Sequence, residues 1–243
     1  EMKLIITILM GLMLAGHAVA KSAEEDVARY VQIFSGAANL HSDAADTFAW
    51  VGLSDTAVFD IIEKRLLEDH EAARSDRDEK NRVARYIRSL GFSGQPKYAP
   101  TIRKFEQDRV YERYAKAALE DLPHYQKWNP IISNRASFDP RYSDDVNRVM
   151  NMLRSDDLLL KQIGAKRIYF QHSEDELLEL LAKEVRANYA STDPRFSDAI
   201  AWMLKGLGKS RKPKYIPLLE EARANARDSK IRKYAQVSLD YYK

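Results

Sequence analysis

A short turn that occurs twice limits what this chain can fold into. It reads Pro96-Lys97-Tyr98-Ala99-Pro100 after Leu90-Gly91, and Pro213-Lys214-Tyr215-Ile216-Pro217 after Leu207-Gly208. Glycine accepts the left-handed conformation that ends a helix, and the first proline stops a helix from continuing. The second proline falls in the first turn of the next helical pattern, where its missing amide hydrogen costs nothing. Each turn is therefore predicted to join two helices, and Gly91 and Gly208 are predicted to end the helix before it.

The two turns belong to a longer internal repeat. Asp26–Arg29 aligns with Asp145–Arg148, and the following apolar positions keep the same separation except where loops change length. These positions have the i, i+3, i+4 spacing of amphipathic helices. The 9 glycines and 8 prolines are few for an all-β protein of 243 residues. We therefore predict an all-α fold in which the second half duplicates the first.

The predicted organisation has four parts. Residues 1–20 form a leader, residues 21–127 the first half, residues 128–143 a linker with a helix-entry loop, and residues 144–243 the second half. The linker is predicted because Trp128-Asn129-Pro130 through Asp139-Pro140 interrupts the helical pattern and contains two prolines.

The leader resembles a bacterial secretory signal peptide. Lys3 precedes an apolar run from Leu4 to Ala15, and Ala18-Val19-Ala20 offers a small-x-small cleavage site before Lys21. The apolar run is shorter than the roughly 20 residues that a spanning helix needs, so we expect no membrane anchor after cleavage. We expect the mature protein to be periplasmic or secreted. With zero cysteines, the chain has neither disulfides nor thiolate metal sites.

Three helices carry a resemblance to HEAT repeats. Tyr111 to Leu119, Leu160 to Ile168 and Ile231 to Leu239 resemble the V-R-x-x-A-x-x-A-L pattern, with Ala115, Gly164 and Ala235 at its small middle position. The resemblance implies a right-handed α-solenoid of about six helical hairpins, built as a tandem duplication of three-hairpin halves. It also implies an interaction surface or scaffold rather than a particular activity.

The sequence contains no recognised catalytic or metal-binding motif. Gly206-Leu207-Gly208-Lys209-Ser210 lacks the first glycine of a P-loop, because Met203 stands there. The histidines have no zinc-ligand spacing, and the acidic run Glu174–Glu179 is predicted to be a solvated helix face. We therefore predict no catalytic residues, no metal site and no cofactor, although folding could still bring dispersed carboxylates or histidines together.

The predicted binding residues are basic and aromatic. They lie at the two repeated turns: Lys97, Tyr98, Lys209, Arg211, Lys212, Lys214 and Tyr215. Such a strip could hold an acidic partner. In the competing interpretation, the tyrosines pack on the preceding helix and the lysines are solvated.

The leading functional hypothesis is an exported, non-catalytic HEAT-like scaffold or adaptor that binds a protein or peptide partner, and the basic strip favours an acidic one. The formal net charge of +3 gives no sign of polyanion binding, so no nucleic-acid partner is expected. The alternatives are a binder of anionic cell-envelope glycan, or an enzyme whose site is assembled from dispersed residues.

Overall fold

The computed structural model describes residues 22–243, so the predicted signal peptide lies outside the described residues. This part of the chain contains twelve α-helices and no strand, which confirms the all-α prediction. The helices alternate along the chain between two layers. The odd-numbered helices are α1 (Ala23–Ser35), α3 (Thr56–Asp69), α5 (Ala99–Arg103), α7 (Asp144–Arg154), α9 (Asp175–Asn188) and α11 (Ile216–Asn225). The even-numbered helices are α2 (His41–Val51), α4 (Arg77–Phe92), α6 (Glu112–Ile132), α8 (Leu158–Gln171), α10 (Arg195–Lys209) and α12 (Ser229–Leu239).

Consecutive helices form six hairpins, and neighbouring hairpins pack layer on layer. In the first half α1 packs on α3, while α2 packs on α4 and α4 on α6. The second half repeats this order, with α7 on α9, α8 on α10 and α10 on α12. Each half has its own apolar core. A smaller apolar cluster, which includes Trp128 of α6 and Leu160 of α8, joins the two cores.

The small residues of the HEAT-like pattern are buried where the pattern predicts. Ala115 and Ala235 have no exposed surface, and Gly164 is buried against Met152 and Leu153. A small side chain at these positions lets adjacent helices approach closely.

The prediction that Gly91 and Gly208 end their helices is wrong. Gly91 lies within α4 and Gly208 within α10. A Cβ atom on Gly91 would lie 2.5 Å from the carbonyl oxygen of Ala118, and one on Gly208 would lie 2.7 Å from the Cα of Ser238. These glycines are required because two even-numbered helices cross there.

Three positions after each of these glycines, one residue adopts the left-handed backbone conformation. It is Gly94 in the first half, with φ 65°, and Arg211 in the second, with φ 53°. Glycine adopts this conformation without steric cost, whereas a side chain such as that of Arg211 does not.

The predicted linker begins too early, because α6 continues through Trp128-Asn129-Pro130 to Ile132. Pro123 and Pro130 lie on exposed positions of this helix. Tertiary contacts outweigh the missing amide bonds, since the buried Asn129 side chain donates hydrogen bonds to the carbonyls of Phe92 and Ser93.

A buried ion cluster also ties the halves together. The carboxylate of Asp26 on α1 accepts hydrogen bonds from Arg135 at 2.8 Å and from Arg148 of α7 at 2.7 Å. Asp26 is 5% exposed, so removal of one partner would leave a buried charge uncompensated.

Candidate functional site

The first-half turn residues contact α3, the first helix of the hairpin before the turn. Pro96–Tyr98 form a 3-10 turn, in which the Tyr98 ring is fully buried and its hydroxyl donates to Asp60 of α3 at 2.7 Å. The Lys97 ammonium lies 2.7 Å from the same carboxylate. Burial raises the pKa of Tyr98, and the hydrogen bond to Asp60 raises it further.

The second-half turn repeats this arrangement on α9. The buried Tyr215 donates to Glu179 at 2.9 Å, and the Lys214 ammonium lies 2.9 Å from Glu179. Lys212 pairs with Asp175 at 2.6 Å. Burial, followed by the bond to Glu179, raises the pKa of Tyr215 to about 12. Both tyrosines are buried, as the competing interpretation expects, but they bond to α3 and α9 rather than to the helix directly before the turn, and the lysines are paired rather than only solvated.

Lys209 belongs to a different group of residues. Its ammonium donates to the carbonyl of Tyr169 at 2.6 Å and lies 4.7 Å from the centroid of the Tyr169 ring. The exposed Arg211 makes no ion pair within residues 22–243. The contacts of the predicted residues thus divide among α3 for the first-half turn, α9 for the second-half turn and α8 for Lys209.

The exposed side of the even-numbered helices, called here the even-helix face, carries a cluster of rings and lysines in the second half. Trp202 of α10 lies 5.7 Å from Tyr169 and 6.0 Å from Phe170, both of α8. The Lys205 ammonium lies 3.7 Å from the Trp202 centroid and 4.6 Å from that of Tyr169. We call the set Tyr169, Phe170, Trp202, Lys205 and Lys209 the aromatic–lysine cluster.

The lysines of this cluster have no acidic partner. Within the described residues no carboxylate lies within 4.0 Å of the ammonium groups of Lys205, Lys209 or the neighbouring Lys166. Phe170 is 60% exposed, although it is a large apolar residue. The cluster thus offers unpaired positive charge beside aromatic surface.

In the first half the even-helix face contains a cavity of about 580 Å³. Trp50 of α2, Phe92 of α4 and Tyr114 of α6 line it together with Arg85 and Arg88. A cavity of this size with aromatic walls and a few polar groups is typical of a small-molecule site.

Asp121 of α6 holds Arg88 at the wall of this cavity. Its carboxylate lies 2.6 Å from the Arg88 guanidinium. Burial raises the pKa of Asp121, and the opposing charge of Arg88 only partly offsets that effect. Asp121 reaches the cavity through Arg88, which lines it, and a carboxyl group with a raised pKa next to such a residue is a candidate acid or base. Sequence reasoning missed this pair, because its members lie 33 positions apart.

At the junction of the halves Trp50 adds an aromatic group to the face, whereas Trp128 is buried in the apolar cluster that joins the two cores. The Arg167 guanidinium of α8 lies 4.0 Å from the ring centroid of Trp50 of α2. In α6, Trp128 stacks on His124 at 4.9 Å and donates its indole hydrogen to Asp157 at 2.9 Å. All three tryptophans of the chain, which also include Trp202, therefore lie on even-numbered helices and contact basic or ring groups of this face.

Arg167 is in turn held by a charged group at the end of α8. Asp145 accepts from Arg167 at 2.9 Å and from His172 at 2.8 Å, and Glu174 lies 3.3 Å from the other ring nitrogen of His172. Burial lowers the pKa of His172, but its bond to Asp145 and the two carboxylate charges outweigh this and raise it. Burial raises the pKa of Asp145, and the bonds and charges of His172 and Arg167 lower it overall.

Neither a metal centre nor a membrane helix is found in residues 22–243. No group of three or more histidine or acidic side chains there is placed to hold a metal ion. No helix in this range has both the length and the apolar character needed to cross a membrane.

Comparison with known proteins gives one family. The family model described as DNA alkylation repair enzyme matches residues 107–238, which is more than half of the chain. The comparison with curated proteins found no match. Among solved structures, human deoxyhypusine hydroxylase in complex with glycerol is 14% identical, with 90% of this chain and 84% of that chain covered and a TM-score of 0.36.

The family match corrects the leading functional hypothesis. A non-catalytic scaffold or adaptor for protein–protein interaction was expected, and that prediction is wrong because the matching family consists of enzymes. The expectation that the chain is not an enzyme fails for the same reason. The alternative of an enzyme whose site is assembled from dispersed residues is the one that the match supports.

Proposed function

Because the chain belongs to the DNA alkylation repair enzyme family, we propose that it is an enzyme that acts on alkylated bases in DNA and binds that DNA on its even-helix face. The observation that carries the proposal is the aromatic–lysine cluster, which lies entirely inside the matched residues 107–238. The cluster combines two features that nucleic acids require, cationic groups for phosphate and ring surface for bases.

The cluster can bind phosphate at low cost. Lys205 lies over the rings of Trp202 and Tyr169, and a phosphate that draws it away breaks no ion pair within the described residues. A cation–π contact at an exposed site contributes only about 0.5–1 kcal/mol, so little binding energy is lost when Lys205 leaves the rings. The ring that Lys205 uncovers, together with the exposed Phe170, would then be free to stack on bases.

The cavity of the first half is proposed to receive the alkylated base. An enzyme that does chemistry on a base takes it out of the helical stack and holds it between apolar and aromatic side chains. Trp50, Phe92 and Tyr114 supply such walls. Alkylation of a purine ring nitrogen leaves a positive charge on the base, which an aromatic wall also favours.

Asp121 is proposed as the general base. Water would add to the sugar carbon as the bond to the base breaks, and the carboxylate would accept the proton of that water. Its raised pKa brings the carboxylate nearer to the working pH, which makes proton transfer more effective. Arg88 would hold the carboxylate in place through their contact of 2.6 Å.

The low net charge of the chain led us to expect no nucleic-acid partner, and the proposal replaces that expectation. A net charge of +3 over 243 residues describes the whole chain, whereas binding depends on where unpaired charges lie. Lys166, Lys205 and Lys209 concentrate positive charge on one face of α8 and α10.

Export is a separate proposal. If residues 1–20 are a signal peptide, the mature protein works on DNA outside the cytoplasm. Fractionation of cells that express the full chain would test this. A shortened protein in the exported fraction supports export, and full-length protein in the cytoplasm contradicts it.

The enzymatic proposal is tested with duplex DNA that carries N-methylated purines. We expect the protein to release methylated bases, measured by mass spectrometry, and to leave unmodified bases in place. The Asp121→Asn variant should lose most of this activity. The matched control Asp193→Asn removes a partly exposed loop carboxylate that pairs only with Arg195, and it should keep full activity. No release by the wild-type protein would contradict the proposal.

A further inference from the structure

A basic cleft of about 700 Å³ lies between α4 and α6. Four of its lining residues are the cations Arg77, Lys80, Arg109 and Arg113. A fifth cation, Lys116, pairs with Glu112 within α6. This cleft is separate from the aromatic–lysine cluster, which lies on α8 and α10.

The four cations are free of acidic partners. No carboxylate among the described residues lies within 4.0 Å of their charged groups, whereas the nearby Arg74 and Arg82 are both paired. Arg77, Arg109 and Arg113 are also exposed. Like charges placed close together destabilise a fold slightly, so an unneutralised group of four is unusual unless an anion binds there.

The basic cleft continues directly into the aromatic cavity. Asn81 of α4 and Tyr114 of α6 line both, and the Arg113 guanidinium lies 4.5 Å from the Tyr114 ring centroid. One extended ligand can therefore occupy the aromatic cavity with an uncharged or cationic part and the basic cleft with an anionic part.

We infer that the basic cleft binds the backbone phosphates of the DNA strand whose base occupies the aromatic cavity. This inference rests on the proposed function, and it adds a direction, since the strand leaves the cavity past Tyr114 toward the amino-terminal ends of α4 and α6. Arg109 and Arg113 grip it from the α6 side, and Arg77 and Lys80 from the α4 side.

Salt dependence of DNA binding tests this inference. Each phosphate neutralised contributes about 0.9 to the slope of log K against log salt concentration for duplex DNA. The double variant Arg109→Gln/Arg113→Gln should therefore reduce the magnitude of that slope by about 1.8 and weaken binding at low salt. The pair Arg77→Gln/Lys80→Gln, on the other wall, should act in the same direction.

The matched control is Lys183→Gln/Arg186→Gln on α9. Both residues are exposed, and neither makes an ion pair within residues 22–243. This control should leave the slope unchanged, and circular dichroism should show all variants equally helical. If wild-type protein binds DNA but neither cleft variant changes the slope beyond the control, the inference fails and the proposed function stands. If wild-type protein does not bind DNA at low salt, both fail.

Discussion

The ammonium group of Lys205 lies 3.7 Å from the centroid of the Trp202 ring, three residues earlier on α10. Residues three apart share one side of a helix, so this contact places both on the even-helix face. Within the described residues the ring is the main neighbour of a charge that has no carboxylate partner. The pair therefore marks a surface on which a lysine is kept in position without being neutralised, as binding to an anionic polymer requires.

The buried alanines of the HEAT-like pattern give a test of the fold. Ala115→Asp or Ala235→Asp would place a carboxylate where no surface is exposed, which costs several kcal/mol unless the group is neutralised or paired. We expect a large drop in the melting temperature for each variant. Ala187→Asp on an exposed position of α9 is the matched control and should change it little. Equal melting temperatures for all three variants would show that the alanines are not at helix contacts.

The left-handed Arg211 gives a test of local strain. Because its equivalent in the first half is Gly94, Arg211→Gly should relieve a cost of about 1 kcal/mol. We expect the free energy of unfolding, measured in urea, to rise by up to that amount. Arg211→Lys keeps the strained backbone and should change nothing. A loss of stability in Arg211→Gly would mean that the arginine side chain contributes more than its conformation costs.

His172 should make stability depend on pH. Its pKa is raised in the folded state by Asp145 and Glu174, so the stabilisation is complete below the unfolded value of about 6.5 and is lost as pH rises through the folded pKa. Wild-type protein should therefore lose stability relative to His172→Gln as pH rises above about 6.5. The check is urea unfolding of both proteins across this range. Parallel curves would contradict the contact with Asp145.

The repeated turns can be tested by charge reversal. Lys97 and Lys214 form exposed ion pairs with Asp60 and Glu179, and such pairs contribute about 0–1 kcal/mol. The double variant Lys97→Glu/Lys214→Glu should lower stability slightly and leave DNA affinity unchanged. A salt-dependent loss of binding to an acidic protein would instead support the predicted binding strip of basic and aromatic residues.

The hairpins were predictable from the sequence because their signals are local. Apolar spacing and small residues such as Ala115 and Ala235 report helix faces directly. The sequence did not reveal why glycine is needed at position 91, or why proline is tolerated at position 130. Gly91 is required by the approach of Ala118, which lies 27 residues away, and Pro130 is tolerated because contacts of Asn129 hold α6 together.

The candidate site could be predicted only in part. Lys209 was predicted as a binding residue because it neighbours the repeated turn. Its contact with Tyr169, which lies 40 positions earlier, could not be predicted. The contact of Arg88 with Asp121 likewise depends on how α4 and α6 pack. The three tryptophans were the available signal, since all of them fall on even-numbered helices.

The most direct test of the central claim is the rate at which methylated bases leave duplex DNA with Lys205→Gln and Trp202→Ala, each compared with wild type and with Lys183→Gln. We expect both face variants to release methylated bases at least several-fold more slowly at moderate salt, while Lys183→Gln keeps the wild-type rate. Equal rates in all four proteins would show that the even-helix face of the second half is not the DNA-binding surface.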